Sequence, residues 1–220
     1  MAGRLRSVMF RGPAGSLEGL WKEAAGAVVR RGTAVFGHPH PLHGGTMHNK
    51  VVYRAAQALS QAGYDTLRFN FRGTGLSDGR YDGGIGEIDD YRAALDEAEG
   101  TGGLPIVAGG FSFGSAIGLK AAARDRRLEA FVALGLPLAT ESGRLVSVPP
   151  PEVPSLFVVG ENDTFGPPAE LERFLGGRHR MVVIPGADHF FEGRLELLGE
   201  TVAGFLASLP AGRTPSEARA

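Results

Sequence analysis

Residues 104–120 read LPIVAGGFSFGSAIGLK, a short apolar run followed by a glycine-flanked serine and a segment rich in helix formers. The apolar run at 106–108 is too short for a helix and is bounded by proline and glycine. Such a run is typical of a strand covered on both faces of a parallel sheet. From residue 116 onward alanine and leucine favour a helix. The stretch therefore predicts a buried strand, a very tight turn with Ser112 at its tip, and a helix.

Ser112 stands between Gly110 and Gly114 in the pattern G-x-S-x-G. Between a strand and a helix, this pattern is typical of a nucleophile elbow, in which a strained backbone holds the serine hydroxyl clear of the turn. Side chains at the two glycine positions would collide with the neighbouring strand and helix. The N-terminus of the helix offers free amides and a positive dipole end to a developing anion. The pentapeptide alone also fits an ordinary glycine-rich turn, but the flanking strand and helix favour a catalytic serine.

Composition narrows the class of protein. The chain has 220 residues, 43% hydrophobic and 21% charged, which predicts one globular domain over residues 1–209 and a frayed tail over 210–220. A net charge of -1 disfavours a nucleic-acid partner. The absence of cysteine excludes disulfides, thiolate zinc sites and a cysteine nucleophile. The basic N-terminus lacks an apolar core of signal-peptide length, and no apolar run approaches the length of a membrane span, so we expect a cytoplasmic protein with no membrane partner.

Strands and helices alternate along most of the chain. Residues 5–12 and 17–24 predict an antiparallel hairpin at one edge of a sheet. Beyond the hairpin, the order of elements predicts an α/β fold with a mostly parallel twisted sheet and helices on both faces. The strands are expected at 34–37, 65–71, 106–108, 130–134, 155–160 and 180–184, and the helices at 49–62, 87–99, directly after Ser112, at 169–176 and at 190–209.

Two loops offer the base and the carboxylate that a serine nucleophile needs. Ligands bind at the carboxyl ends of the strands in such a sheet. Serine is a weak nucleophile until a base accepts its proton and a carboxylate orients that base. Asp163 follows the strand at 155–160, and His189 follows the strand at 180–184. The chain order Ser112, Asp163, His189 is typical of a catalytic triad in this architecture.

Two other carboxylates compete with Asp163 in the sequence. Glu161 shares its loop, and Asp188 directly precedes His189. Asp163 is favoured because it stands a few residues past the end of a strand, where a short side chain can turn back to the histidine. Asp188 is less well suited, since a residue adjacent to the histidine aligns poorly with its ring.

The loop at 38–48 carries four histidines. A metal site is one interpretation, but no carboxylate cluster accompanies the histidines, so we expect no metal. An oxyanion loop is the preferred interpretation, since a tetrahedral intermediate needs two backbone amides. One amide is expected from Phe113, directly after the serine. The other is expected from His40, because the prolines on both sides of it have no amide hydrogen, with Leu42 as the second choice.

Several segments together resemble a known family. They are GHPHP at 37–41 with GGTM at 44–47, NFRGTGLS at 70–77, GFSFG at 110–114, GEND at 160–163 and ADHFF at 187–191. Through these segments the chain resembles, over residues 30–206, members of the α/β-hydrolase superfamily. Within that superfamily it resembles the small cap-less hydrolases related to dienelactone hydrolases and esterases. The resemblance implies the α/β-hydrolase fold, a Ser112-Asp163-His189 triad, and an oxyanion hole formed by the amides of His40 and Phe113.

The chain departs from this family pattern in two ways. Dienelactone hydrolases use a cysteine nucleophile, whereas this chain has serine, so their substrate does not carry over. Lipases and many esterases have a helical cap between the last strands. Residues 135–154 are too short for a full cap, which predicts an open site.

These features predict a serine carboxylesterase that cleaves esters of short to medium acyl chain, with a small-molecule ester as its partner and no cofactor. The expected pocket is open and lies beside Leu42, Leu136, Phe165 and Phe190. A peptidase, a thioesterase or an acyltransferase would use the same triad. The rival from another class is a non-catalytic binding protein that kept the fold, and the intact set of catalytic residues argues against it.

Overall fold

Eight of ten strands form one sheet in this computed structural model, which describes residues 3–210 except residues 27, 104, 141–142, 145 and 147. The expected tail lies, from residue 211 on, outside the described residues. The strands are β1 (Leu5–Gly12), β2 (Gly15–Lys22), β3 (Gly32–Gly37), β4 (Tyr64–Phe69), β5 (Ile106–Phe111), β6 (Leu128–Leu134), β7 (Ala139–Thr140), β8 (Gly143–Arg144), β9 (Ser155–Gly160) and β10 (Arg180–Ile184).

The sheet has the strand order β1-β2-β4-β3-β5-β6-β9-β10. β2 pairs antiparallel with β1 and with β4, and all other neighbouring strands are parallel. The predicted mostly parallel sheet with an N-terminal antiparallel hairpin is therefore confirmed. The carboxyl ends of β3, β5, β6, β9 and β10 meet at one edge of the sheet, where the loops singled out in the sequence begin.

Helices cover both faces of the sheet, as the alternating pattern predicts. They are α1 (Lys50–Gln61), α2 (Gly86–Gly102), α3 (Phe113–Ala122), α4 (Pro168–Leu175) and α5 (Leu195–Ser208), with a short 3-10 helix at Pro41–His43. Apolar residues of α2, α3 and α4 belong to one hydrophobic cluster, and those of α1 and α5 belong to a second. In β5, Ile106 and Ala108 join the first cluster while Val107 and Phe111 join the second, because successive side chains of a strand point to opposite faces.

The closing helix is shorter than predicted. α5 begins at Leu195 rather than at residue 190. Phe191 has a φ of 53°, which a right-handed helix does not allow. The Oδ1 atom of Asp188 accepts hydrogen bonds from the backbone N–H groups of Phe190 and Glu192, which fixes a turn before the helix. Periodicity suggested a longer helix because Phe191 is buried in the same cluster as the α5 residues.

Residues 135–154 contribute no helix in the part that the structure describes. β7 and β8 form a two-stranded antiparallel ribbon there. The carboxyl edge of the sheet is therefore not covered by a helical cap built from the described residues of this segment. Among the helices described, none is long and apolar enough to cross a lipid bilayer.

Candidate active site

Ser112 occupies the sharp turn between β5 and α3 with φ 53° and ψ -123°. This is a sparsely populated conformation for a residue with a side chain. A Cβ atom on Gly110 would lie 2.4 Å from the backbone of Gly114, and one on Gly114 would lie 2.4 Å from the backbone of Gly37. Both flanking positions therefore require glycine. The Ser112 N–H donates to the carbonyl oxygen of Leu134 at 2.9 Å, so the strained residue is tied to the neighbouring strand β6.

His189 lies between Ser112 and Asp163 and contacts both. Its Nε2 atom is 2.9 Å from Ser112 Oγ, and its Nδ1 atom is 2.8 Å from Asp163 Oδ2. The neutral ring with its proton on Nδ1 satisfies both contacts, since Nδ1 then donates to the carboxylate while Nε2 accepts from the hydroxyl. Asp163 and His189 are 2% and 5% exposed, which keeps water from competing for their hydrogen bond.

Of the three candidate carboxylates, Asp163 is the one that reaches His189. Its second oxygen, Oδ1, accepts from the backbone N–H groups of Phe165 at 2.8 Å and Gly166 at 3.2 Å, which fixes the carboxylate. Glu161 instead accepts from the N–H of Gly186, and Asp188 accepts from backbone groups of its own turn. The structure thus brings together the three residues of the predicted triad.

Three phenylalanine rings surround His189. Phe111 is fully buried, and its centroid lies 5.3 Å from that of the imidazole. Phe165 and Phe190 lie 4.4 and 5.3 Å from the imidazole, and each is about half exposed. The imidazole therefore has one buried ring and two half-exposed rings as neighbours, while Asp163 and Ser112 contact its two nitrogen atoms.

The loop after β3 lies beside the first turn of α3. The close approach of Gly114 to the end of β3 brings the residues after Gly37 next to Phe113, and the rings of His40 and Phe113 are 5.1 Å apart. Among the described residues, the amides of His40, Leu42 and Phe113 donate to no other protein group. Free amides on both sides of the serine are what an oxyanion would need. His40 and Leu42 both remain candidates for the second donor.

Two of the four histidines of this loop contact polar groups outside the loop. His38 is fully buried, and its Nε2 atom accepts from the N–H of Phe71 at 3.1 Å. Burial lowers the pKa of His38 to about 4, so its ring is neutral at ordinary pH. Burial and the nearby His43 also lower the pKa of His40, whose Nε2 atom lies 3.0 Å from the hydroxyl of Tyr81. Within the described part of the chain, no three histidine, aspartate or glutamate side chains converge on a common metal position.

Buried polar side chains at the end of β4 and directly after it fix the far end of the same loop. Arg68 donates to the carbonyl oxygen of Met47 at 2.9 Å, and Asn70 accepts from the N–H of Met47 at the same distance. The Asn70 amide in turn donates to Glu18 at 2.8 Å. Both the N–H and the carbonyl oxygen of Met47 are therefore hydrogen-bonded to side chains. The loop at 38–48 is thus held near both ends, at His38 and at Met47.

Two residues near the site were not singled out in the sequence. Gly135, directly after β6, has a φ of 52°, and a Cβ atom there would lie 3.2 Å from the His189 ring. The hydroxyl of Tyr91 accepts from the N–H of Gly109 at 2.8 Å and lies 3.0 Å from the carbonyl oxygen of Val35, where β3 and β5 approach the elbow. A glycine directly after a strand was a signal for Gly135, whereas nothing in the local pattern marked Tyr91.

The four apolar residues expected beside the pocket fall into two groups. Leu42, Phe165 and Phe190 are exposed by 68%, 51% and 50%. Leu136 differs from the expectation, since it is 1% exposed and packs within a hydrophobic cluster of the core. Its apolar side chain is more stable beneath the sheet edge than on the surface, so it offers almost no area to a ligand.

Comparisons with known proteins agree with this architecture. A family described as the alpha/beta hydrolase domain matches residues 32–209. An alpha-beta serine hydrolase homologue from Coxiella burnetii is 38% identical, with a TM-score of 0.83 over 90% of this chain and 96% of that one. An a/b serine hydrolase without lid from Xanthomonas campestris is 31% identical, with a TM-score of 0.85 over 96% of this chain and 97% of that one. An uncharacterized protein of Rickettsia prowazekii is 33% identical over 92% of this chain and 89% of its own length.

Proposed function

The chain belongs to the alpha/beta hydrolase domain family, and from this premise we propose that it is a serine carboxylesterase for esters of short to medium acyl chain. One observation carries the proposal. The strained Ser112 has its Oγ atom 2.9 Å from His189 Nε2, and His189 Nδ1 is 2.8 Å from the buried Asp163. Two relatives more than 30% identical to this chain are described as serine hydrolases or their homologues, which favours a hydrolytic role.

Acylation begins at Ser112. Its Oγ attacks the carbonyl carbon of the ester while His189 Nε2 accepts the hydroxyl proton. The carboxylate of Asp163 stabilises the imidazolium that forms and keeps the ring in the productive tautomer. Because Asp163 already accepts two backbone hydrogen bonds on its other oxygen, it does not need to move during this step.

Backbone amides stabilise the negative charge that develops on the carbonyl oxygen. We assign the amides of His40 and Phe113 to this oxyanion hole, because they flank the serine and have no other protein partner among the described residues. The N-terminus of α3 adds the positive end of its dipole. When the tetrahedral intermediate collapses, the alcohol leaves with the proton held by His189. Water then attacks the acyl-enzyme by the same steps in reverse.

The acyl preference follows from the absence of a helical cap in the described part of residues 135–154. The relative from Xanthomonas campestris is likewise described as lacking a lid. A long acyl chain gains by burial, at roughly 0.8 kcal/mol for each buried CH₂, only where protein surrounds it. On an open site the outer part of a long acyl chain stays in water and adds little binding free energy. Esters of short and medium acyl chain are therefore expected to bind about as well as long ones.

Turnover of p-nitrophenyl acetate, butyrate, octanoate and palmitate by the wild type and Ser112→Ala tests this function. We expect the wild type to hydrolyse the shorter esters best and the variant to lose about 10³-fold or more in kcat on each ester. Equal, slow hydrolysis by both proteins would contradict the serine mechanism. A preference for palmitate, with the serine dependence intact, would contradict only the assigned chain length.

A further inference from the structure

Phe165 and Phe190 present half-exposed rings beside His189, and the catalytic steps proposed above do not use them. Their centroids lie 4.4 and 5.3 Å from the imidazole, and their exposed fractions are 51% and 50%. The exposed faces of these rings lie next to His189, which transfers the proton. A ligand that covers them removes apolar surface from water, and this favours binding.

The strand order determines which part of an ester reaches these rings. Ser112 follows β5, which lies between β3 on one side and β6, β9 and β10 on the other. The proposed oxyanion loop follows β3, so the carbonyl oxygen of the ester points toward that side. Phe165 follows β9 and Phe190 follows β10, on the opposite side of the serine.

The chemistry of acylation places the alcohol on that opposite side. As the bond between the carbonyl carbon and the alcohol oxygen breaks, its electron pair stays on the oxygen, which takes the proton from His189 Nε2. For this transfer the oxygen must come within about 3 Å of Nε2. The carbon atoms bonded to that oxygen then lie beside the ring of His189, where the two phenylalanines stand.

Backbone hydrogen bonds fix the main chain at both residues, and contacts with neighbouring rings restrain the two side chains. The N–H of Phe165 donates to Asp163, and its carbonyl oxygen accepts from the N–H of Leu138 at 3.2 Å. The N–H of Phe190 donates to Asp188 at 3.0 Å, and its ring contacts Phe111 edge to face. A surface held in place in this way loses little conformational entropy when a ligand covers it.

We propose that Phe165 and Phe190 form the binding surface for the alcohol portion of the ester and give the enzyme a preference for aromatic or bulky apolar alcohols. This inference rests on the proposed esterase function. It assigns the substrate class on the leaving-group side of the ester.

The test compares esters that change one portion at a time. Benzyl acetate and ethyl acetate differ in the alcohol, and ethyl acetate and ethyl hexanoate differ in the acyl chain. We expect Phe165→Ala and Phe190→Ala each to lower kcat/KM for benzyl acetate by about tenfold while that for ethyl acetate changes by less than about twofold. The ratio of ethyl hexanoate to ethyl acetate is expected to stay unchanged. Phe165→Tyr keeps the ring and is expected to keep the preference for benzyl acetate.

Met9→Ala is the matched control, because Met9 is a comparably exposed apolar side chain on the outermost strand, β1. It is expected to leave both ratios unchanged. Equal losses on benzyl and ethyl acetate would show that the rings only position His189, and a changed acyl ratio would place them on the acyl side. Either result overturns this inference and leaves the esterase function standing. Absence of Ser112-dependent turnover of all three esters would overturn the proposed function itself.

Discussion

Ser112 keeps a backbone conformation that costs on the order of 1–3 kcal/mol. Its own N–H is bonded to Leu134, and its carbonyl oxygen accepts from the Ser115 hydroxyl at 2.6 Å. These bonds and the two flanking glycines leave the residue no relaxed alternative within the fold. The strain therefore serves to present the hydroxyl to His189, at a position that an unstrained turn would not reach.

At the same scale, buried His38 makes stability depend on pH. Its folded-state pKa is about 4, lowered mainly by burial, against an ordinary value near 6.5. Between these values the unfolded chain binds a proton that the folded chain does not bind, so acidification favours unfolding. The free energy of unfolding is expected to fall by about 2 kcal/mol between pH 7 and pH 5 through this residue alone. Urea denaturation at the two pH values measures this difference.

The matched variant is His38→Gln, which keeps an acceptor for the N–H of Phe71 but does not titrate. It should lose about 2 kcal/mol less than the wild type over the same pH interval. An equal loss in the two proteins would show that other groups carry the acid sensitivity.

At the scale of elements, one ion pair joins the loop after β4 to α2. Arg72 donates to both carboxylate oxygens of Asp90, at 2.8 and 2.7 Å, and its own backbone N–H donates to Asp90 at 3.0 Å. The Asp90 side chain is fully buried. The hydrogen bonds to Asp90 raise the pKa of Arg72, so the arginine remains charged. The pair thus sets the path of the loop that carries Tyr81 toward His40.

Removal of this buried carboxylate should destabilise the fold strongly. Asp90→Ala leaves a charged guanidinium without its partner, and we expect the free energy of unfolding to fall by about 3–5 kcal/mol. Asp89→Ala on the same helix removes an exposed pair with Arg92 and should change the stability by less than about 1 kcal/mol. Chemical denaturation of the two variants checks this, and similar losses in both would contradict the structural role of Asp90.

The elements show what local sequence patterns can and cannot predict. Strand positions and the α/β order follow from apolar runs and turn residues, which are local signals. The start of α5 cannot be predicted from such signals. Phe191 fits the apolar spacing of the helix, but its positive φ belongs to the turn that Asp188 fixes. β5 extends past the predicted run through Gly109 and Gly110, because those glycines pair with β3 and β6. Tertiary pairing outweighs local preference at these positions.

At the scale of the whole molecule, the sequence predicts which residues meet at the candidate site because each follows a strand. The carboxyl ends of parallel strands meet at one edge, so Ser112 and His189 come together although they are 77 residues apart. Local sequence patterns do not predict how closely residues from different loops and elements pack. Three features depend on packing across the sheet: the close approach of Gly135 to His189, the contacts of the Tyr91 hydroxyl with β3 and β5, and the burial of Leu136.

We propose that Ser112 is an activated nucleophile, and covalent labelling by a fluorophosphonate probe tests this role. Mass spectrometry should find one adduct on the wild type, located on Ser112, and none on Ser112→Ala. Ser208→Ala, which removes the hydroxyl of an exposed serine that donates to the carbonyl oxygen of Phe205 at the end of α5, should be labelled like the wild type. An unlabelled wild type, or equal labelling of Ser112→Ala, would contradict the account.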